Sequence, residues 1–351
     1  QLYCTINTME NNTPTPIYDP QPVIDRRGKK NILSYFIHII LFFLSFITTT
    51  VAGVLWVNKN PLELTNFHFG LPYSLSLLTM LSAHEFGHYF AAKFHGIQTT
   101  LPYFIPFPPF IVLPFASGGE FIQLNPFGTM GAVIRIRSPL STKTALFDIG
   151  IAGPLAGLVV TIVLLLYGIA TLPSIDYLYQ IHPEYRLLAQ IPENGLTFGN
   201  SIFFWILRKS MGHSTFFPPM NEIYHYPYLC VGWFGLFITA INLIPAGQLD
   251  GGHIVYALMG NAHRFVARGM FVFLILFGLT SFLPILGFKV QPGTAGWLVW
   301  AAILFFVIKL DHPPVYDDTP LSSRRNFWGW LTMLIFIFIF PPVPIFEIAA
   351  H

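Results

Sequence analysis

Uncharged apolar runs recur along this chain, each about as long as a membrane helix and separated by short polar breaks. A bilayer core takes about 20 consecutive apolar residues of helix. Windows of that kind lie at residues 32–57, 71–93, 149–172, 228–249, 269–288, 290–308 and 327–346, the second apolar apart from His84, Glu85, His88 and the terminal Lys93, and the sixth interrupted near its start by Pro292 and Gly293. The pattern predicts an all-α polytopic membrane protein with about 6–7 transmembrane helices. Residues 99–118 are uncharged too, yet Pro102, Pro106, Pro108, Pro109 and Pro114 forbid a helix there, so the segment reads as a loop at or in the membrane surface. Two short strands follow at 119–124 and 131–137, around an Asn125-Pro126-Phe127-Gly128 turn. Because strand edges cannot stand bare in hydrocarbon, this membrane-associated β-hairpin after the second helix belongs inside the bundle or at its cytoplasmic mouth.

Composition narrows the class further. The chain is 54% hydrophobic and 10% charged, against about 25% charged in soluble domains, which argues against an ordinary soluble enzyme. A formal net charge of +2 provides no field for nucleic acid, so no nucleic-acid partner is expected. Cys4 and Cys230 are too few for a disulfide framework or a thiolate metal site. Lys and Arg divide thirteen to five between alternate loops, with Arg26, Arg27, Lys29 and Lys30 on the richer side. Such a bias favours a cytoplasmic N-terminus. Residues 1–31 read as a cytoplasmic, largely disordered tail, 32–260 as a core that includes the loop and hairpin at 99–137, and 261–351 as further transmembrane helices.

Where charge is this scarce, an ionisable group inside a span is a functional candidate. The second span carries His84-Glu85-Phe86-Gly87-His88. Positions i and i+4 of a helix differ by about 40° and roughly 6 Å of rise, so both imidazoles leave one face and can grip one metal ion. Glu85, one residue on, is placed to take a proton from water. Catalytic zinc takes a third protein ligand. His95 lies too far along the helix, with no intervening glycine turn to bring it back. Asp250, near the interruption around Pro245 and Gly251-Gly252 at the end of the fourth span, is the better candidate, and His253 the runner-up. A metal or proton pathway, an inactive helix-binding scaffold and a di-iron oxidase are the competing classes. The last lacks enough histidines, and nothing elsewhere in the spans continues a transport path.

His84-Glu85-Phe86-Gly87-His88 in one span, paired with Asn242, Pro245 and Leu249-Asp250-Gly251 in a later one, resembles the site-2 protease family of intramembrane zinc metalloproteases. Gly153-Pro154-Leu155-Ala156-Gly157 and Gly128-Thr129-Met130-Gly131-Ala132-Val133 add to the likeness, the latter most similar to the bacterial and plastid branch that lacks a PDZ domain. In keeping with that branch, residues 173–227 are short and rich in proline. The resemblance implies one zinc ion per chain on His84, His88 and Asp250, with Glu85 as general base and Asn242 holding the substrate backbone. It also implies that the hairpin at 119–137 presents an edge on which an unwound substrate pairs as an added strand, with Gly119, Glu120, Phe121 and Ile122 as substrate-binding residues. The substrate it implies is a single-span membrane protein, such as an anti-sigma factor or a similar membrane-bound regulator, cut by regulated intramembrane proteolysis. The setting it implies is the lipid bilayer of a bacterial plasma membrane, with the active site toward the cytoplasm.

Overall fold

The computed structural model describes residues 32–112, 121–139, 142–188, 190–210, 216–287, 293–317 and 319–348. The expected tail at 1–31 lies outside them, as do Gly119 and Glu120. Each apolar window contains helix among the described residues. The first two are α1 (Ile32–Trp56) and α2 (Phe67–Phe94). Next come α3 (Lys143–Ala170), whose first turn is capped where the Ala145 N–H donates to Thr142, and the short helices α4 (Ile175–Ile181) and α5 (Ile202–Ser210). Then follow α6 (Pro227–Asn242), α7 (Asp250–Met259), α8 (His263–Leu279), α9 (Gly296–Ile303) and α10 (Ser323–Ile339). Three stretches are both long and apolar enough to cross a membrane: Leu33–Trp56, Lys143–Ala170 and Asp250–Leu286, while Pro227–Asn242 and Gly296–Ile308 are shorter apolar helices. Apolar side chains stand out from them, among them Phe36 and Phe43 on α1, Val159 and Val163 on α3, and Val272 and Leu276 on α8. Faces of that character are solvated by lipid, and the protein is an integral membrane protein.

A central bundle holds the core. α2 packs between α1 and α3, and α6 closes against α2 and α3. Tyr73, Leu77, Met80, Leu165, Phe234 and Leu236 are among the side chains buried between these helices. Small residues set the spacing: a Cβ at Gly70 would collide with the Thr50 carbonyl of α1, and one at Gly235 with Thr161 of α3. A second cluster, including Leu274, Trp297 and Leu304, joins α8 and α9 to the end of α6. There Trp297 is buried and its indole N–H donates to the Pro342 carbonyl at 2.7 Å.

The β-structure differs from the expected hairpin. β1 (Tyr103–Pro106) and β2 (Phe110–Val112) lie within the segment read as a loop, with β3 (Phe121–Gln123) and β4 (Thr129–Val133) after it. β1 pairs antiparallel with β4, and β2 with β3, so the two predicted strands pair with partners upstream instead of with each other. Together they make one long ribbon. Its two arms stay paired as far back as the Arg137 N–H, which donates to the Gln98 carbonyl. Proline blocks helix but tolerates extended edges, which is why this proline-rich run forms strand. The Asn125–Gly128 turn exists, with the Phe127 N–H donating to Asn125 Oδ1 at 2.7 Å and Gly128 at φ +76°. It is an excursion between β3 and β4 rather than the tip, and Gly128 presses so closely on the α1 backbone at Thr48 that no Cβ would fit.

The described residues of 173–188, 190–210 and 216–226 form a cap on the end of the bundle where α1 and α3 finish and α6 starts. β5 (Gly195–Phe198) in this cap pairs antiparallel with β6 (Ile345–Ile348), which follows α10. The indole N–H of Trp233 on α6 donates to the Gly199 carbonyl at 2.7 Å, tying cap to bundle.

Candidate active site

His84, Glu85 and His88 are buried on α2, facing α3 and the break after α6. α3 makes room for the imidazoles by being small where they sit. A Cβ at Gly153 would collide with the His88 ring, and one at Gly157 would stand 3.2 Å from His84 Cβ. On the other helix, Gly87 lies against the Ala152 carbonyl with no space for a side chain. Nδ1 of His88 donates to the Ile149 carbonyl at 2.8 Å, a contact that leaves Nε2 with its lone pair directed into the site. Pro154 lacks the N–H that would serve Gly150, and so loosens the ladder of α3 beside that carbonyl.

Asp250 reaches the pair by a different route from the expected one. The helix of the fourth apolar window, α6, ends at Asn242, and Asp250 is the first residue of the next helix, α7. Between them the chain doubles back through Pro245 and Gly247, whose φ is +56° and whose N–H donates to the Leu310 carbonyl at 2.9 Å. Gly251 and Gly252 do not loosen this turn. They permit close packing, since a Cβ on either would collide with the carbonyls of Leu243 or Gly247.

The three ligand atoms converge. His84 Nε2 and His88 Nε2 are 3.1 Å apart, and each is 3.4 Å from Asp250 Oδ2. Ligands on a tetrahedron with zinc bonds of about 2.0–2.1 Å sit about 3.3–3.4 Å from one another, so the set fits one ion of that size. Two imidazole lone pairs around a carboxylate oxygen are also the donor chemistry zinc takes.

Beside the cluster is an open cavity of about 420 Å³ lined mainly by α2, α6 and β4. His84, Glu85 and Asn242 line one side of it and Met130, Gly131 and Ala132 the other. Asn242 Nδ2 is 3.3 Å from His84 Nε2, and the Ile134 backbone N–H, just past β4, is directed at the Glu85 carboxylate. One edge of β4 is taken by β1 and no further strand is added to it among the described residues.

The structure therefore brings His84, Glu85, His88, Asp250 and Asn242 into one place. It does not bring Phe121 and Ile122 there: both belong to β3, paired with Val112 and Ile111 of β2. The strand at the cavity is β4, one step further along the same ribbon. His253, the runner-up ligand, pairs instead with His312, Nδ1 to Nε2 at 2.8 Å. His95 contacts Asp148 at 2.8 Å, a carboxylate also held by Arg325 of α10 through two hydrogen bonds. Met130–Ala132 belong to the 119–137 segment expected to offer the substrate edge, though not to its four named residues, while the roles of Gly153 and Gly157 beside the imidazoles are ones the residues alone do not assign. The small-residue spacing on α3 was the available signal for the glycines.

The profile of peptidase family M50 matches residues 72–280, more than half of the chain, including His84, Glu85, His88, Asn242 and Asp250. The chain is 25% identical over 342 residues to the protein named "Probable zinc metalloprotease EGY1, chloroplastic" from Arabidopsis thaliana, covering 91% of this chain and 55% of that one. It is 28% identical over 269 residues to "Probable zinc metalloprotease EGY2, chloroplastic" from Oryza sativa subsp. indica, covering 77% of this chain and 41% of the relative. The chain thus spans about half the length of the relatives it matches.

Proposed function

The chain belongs to peptidase family M50, and from that premise we propose that it is a zinc endopeptidase that cuts a peptide bond within or beside the transmembrane helix of another membrane protein. The observation that carries this reading is Glu85, a carboxylate outside the ligand set, next to a buried two-histidine, one-carboxylate cluster at the wall of a cavity. His84, His88 and Asp250 are the residues that would hold the ion. Zinc bound there would supply Lewis acidity, polarising the scissile carbonyl and acidifying a water.

The remaining steps belong to side chains and backbone. Carbonyls in a helix are already hydrogen-bonded, so a substrate must unwind before its peptide bond can be attacked. The free edge of β4 at Met130–Ala132 is suited to receive the unwound segment as an added strand, with pairing through backbone groups. Glu85 takes the proton from the attacking water and passes it to the leaving amine nitrogen. Asn242, with its amide at the cluster, is suited to donate to the substrate carbonyl as charge develops on oxygen.

A single-span membrane regulator is the substrate class this site suits, because one helix can unwind at the cavity without breaking a bundle of its own. The Lys and Arg bias of the loops supports an N-terminus, and a catalytic end of α2, on the cytoplasmic side. Reconstitution in liposomes with a single-span substrate tests the reading. Cleavage within the membrane segment is expected, abolished by a zinc chelator and restored by zinc. Metal flux across the liposome without any cleavage would overturn it.

A further inference from the structure

In the cap, three side chains converge that play no part in the site above. His182 follows α4, while Glu222 and His225 bracket a single helical turn just before α6. His182 Nε2 and His225 Nε2 are 3.1 Å apart, and Glu222 Oε2 lies 3.4 Å from the second and 3.8 Å from the first. Glu222 and His225 are each only 2% exposed.

The protons can be assigned from the partners. Nδ1 of His225 is 2.6 Å from the Trp56 carbonyl at the end of α1, an acceptor only, so Nδ1 carries a hydrogen. Nδ1 of His182 is 3.0 Å from Glu184 Oε1, again an acceptor. Each neutral ring then presents a lone pair at Nε2, and the two lone pairs face each other beside a carboxylate. Of that carboxylate, Oε1 is held by the Tyr185 hydroxyl at 2.9 Å and the Asn221 amide at 3.2 Å. Oε2 is buried with no hydrogen-bond partner. One added proton could bridge the two nitrogens or join one of them to Oε2, but it would leave a third electron-rich atom unserved. A divalent cation serves all three at once.

We propose that His182, Glu222 and His225 hold a second divalent metal ion of the zinc class, separate from the one at His84, His88 and Asp250. Their spacings bracket the roughly 3.3–3.4 Å edge of a tetrahedral zinc shell, and two imidazoles with one carboxylate and no thiolate are ligands zinc accepts. The Trp56 carbonyl, Glu184, Tyr185 and Asn221 orient those ligands from behind, as outer partners of metal ligands do. The ion pins the cap to the ends of α1 and α6. Its place is structural, because Glu184, the other carboxylate beside it, is engaged by His182.

Metal content of the full chain in detergent, stripped and then equilibrated with zinc chloride, decides the matter. Elemental analysis is expected to give two zinc per chain for the wild type and one for His88→Ala. It should also give one for His182→Ala and for Glu222→Gln, and none for His88→Ala combined with Glu222→Gln. X-ray absorption of His88→Ala should show two imidazoles on its remaining ion. His182 is partly exposed, so its alanine variant reports even if Glu222→Gln fails to fold. An empty His88→Ala, or a His182→Ala that keeps both ions, overturns the second site. A His88→Ala that keeps both ions counts instead against the catalytic centre, so the two failures are distinguishable.

Discussion

Two clusters of the same make-up, two histidines and a carboxylate at 3.1–3.8 Å, stand in different parts of this protein. The one in the bundle has an additional acid, Glu85, that engages neither ligand imidazole, and a cavity of about 420 Å³ at its side. The one in the cap has its neighbouring acid, Glu184, spent on a ligand imidazole and the second oxygen of Glu222 taken by Tyr185. Ligand geometry alone therefore does not make a protease. A base that does not serve a ligand and room for a peptide do, and among the described residues only the bundle cluster has both.

The contrast can be broken by substitutions whose effects fall in order. Asp250→Ala removes a ligand and should lower cleavage roughly 10³-fold or more, with one zinc lost per chain by elemental analysis. Undiminished cleavage would remove the bundle cluster from the chemistry. Asn242→Ala should lower kcat/KM about 10²-fold while the zinc content holds, the mark of a group that acts on the transition state rather than on the metal. Gly153→Ala places a methyl against the His88 ring and should cost about 10–100-fold in zinc affinity, read by chelator competition. The smallest effect concerns the cap: zinc added to His88→Ala should raise its Tm by a few degrees, and should not do so when Glu222→Gln is also present.

Much of the bundle was legible in the residues because membrane helices announce themselves by length and hydropathy. His84, Glu85 and His88 stood out for the related reason that charge inside a span is costly. Asp250 was legible as a ligand candidate but its setting was not. Proline and glycine near 245–252 signalled a break, while the reason for Gly251 and Gly252, contact with the carbonyls of the turn, depends on where the chain goes next. The ribbon failed at register. Asn125–Gly128 has true turn chemistry, satisfied locally by Asn125 Oδ1, and nothing local shows that the chain turns there only to pack on α1. Strand partners are chosen by pairing across the sheet, which put β4 rather than β3 at the cavity. The cap cluster was illegible because His182 lies far from Glu222 and His225 in a segment where polar residues are common.

The central claim is that Glu85 moves the proton while His84, His88 and Asp250 hold the metal. Glu85→Gln keeps size and hydrogen bonding but removes the base, so the measurement is cleavage of a single-span substrate in liposomes by this variant and the wild type, with zinc counted on both. Equal zinc and a cleavage rate lowered by roughly 10³-fold or more are expected in the variant. Cleavage near the wild-type rate with the zinc in place would contradict the claim.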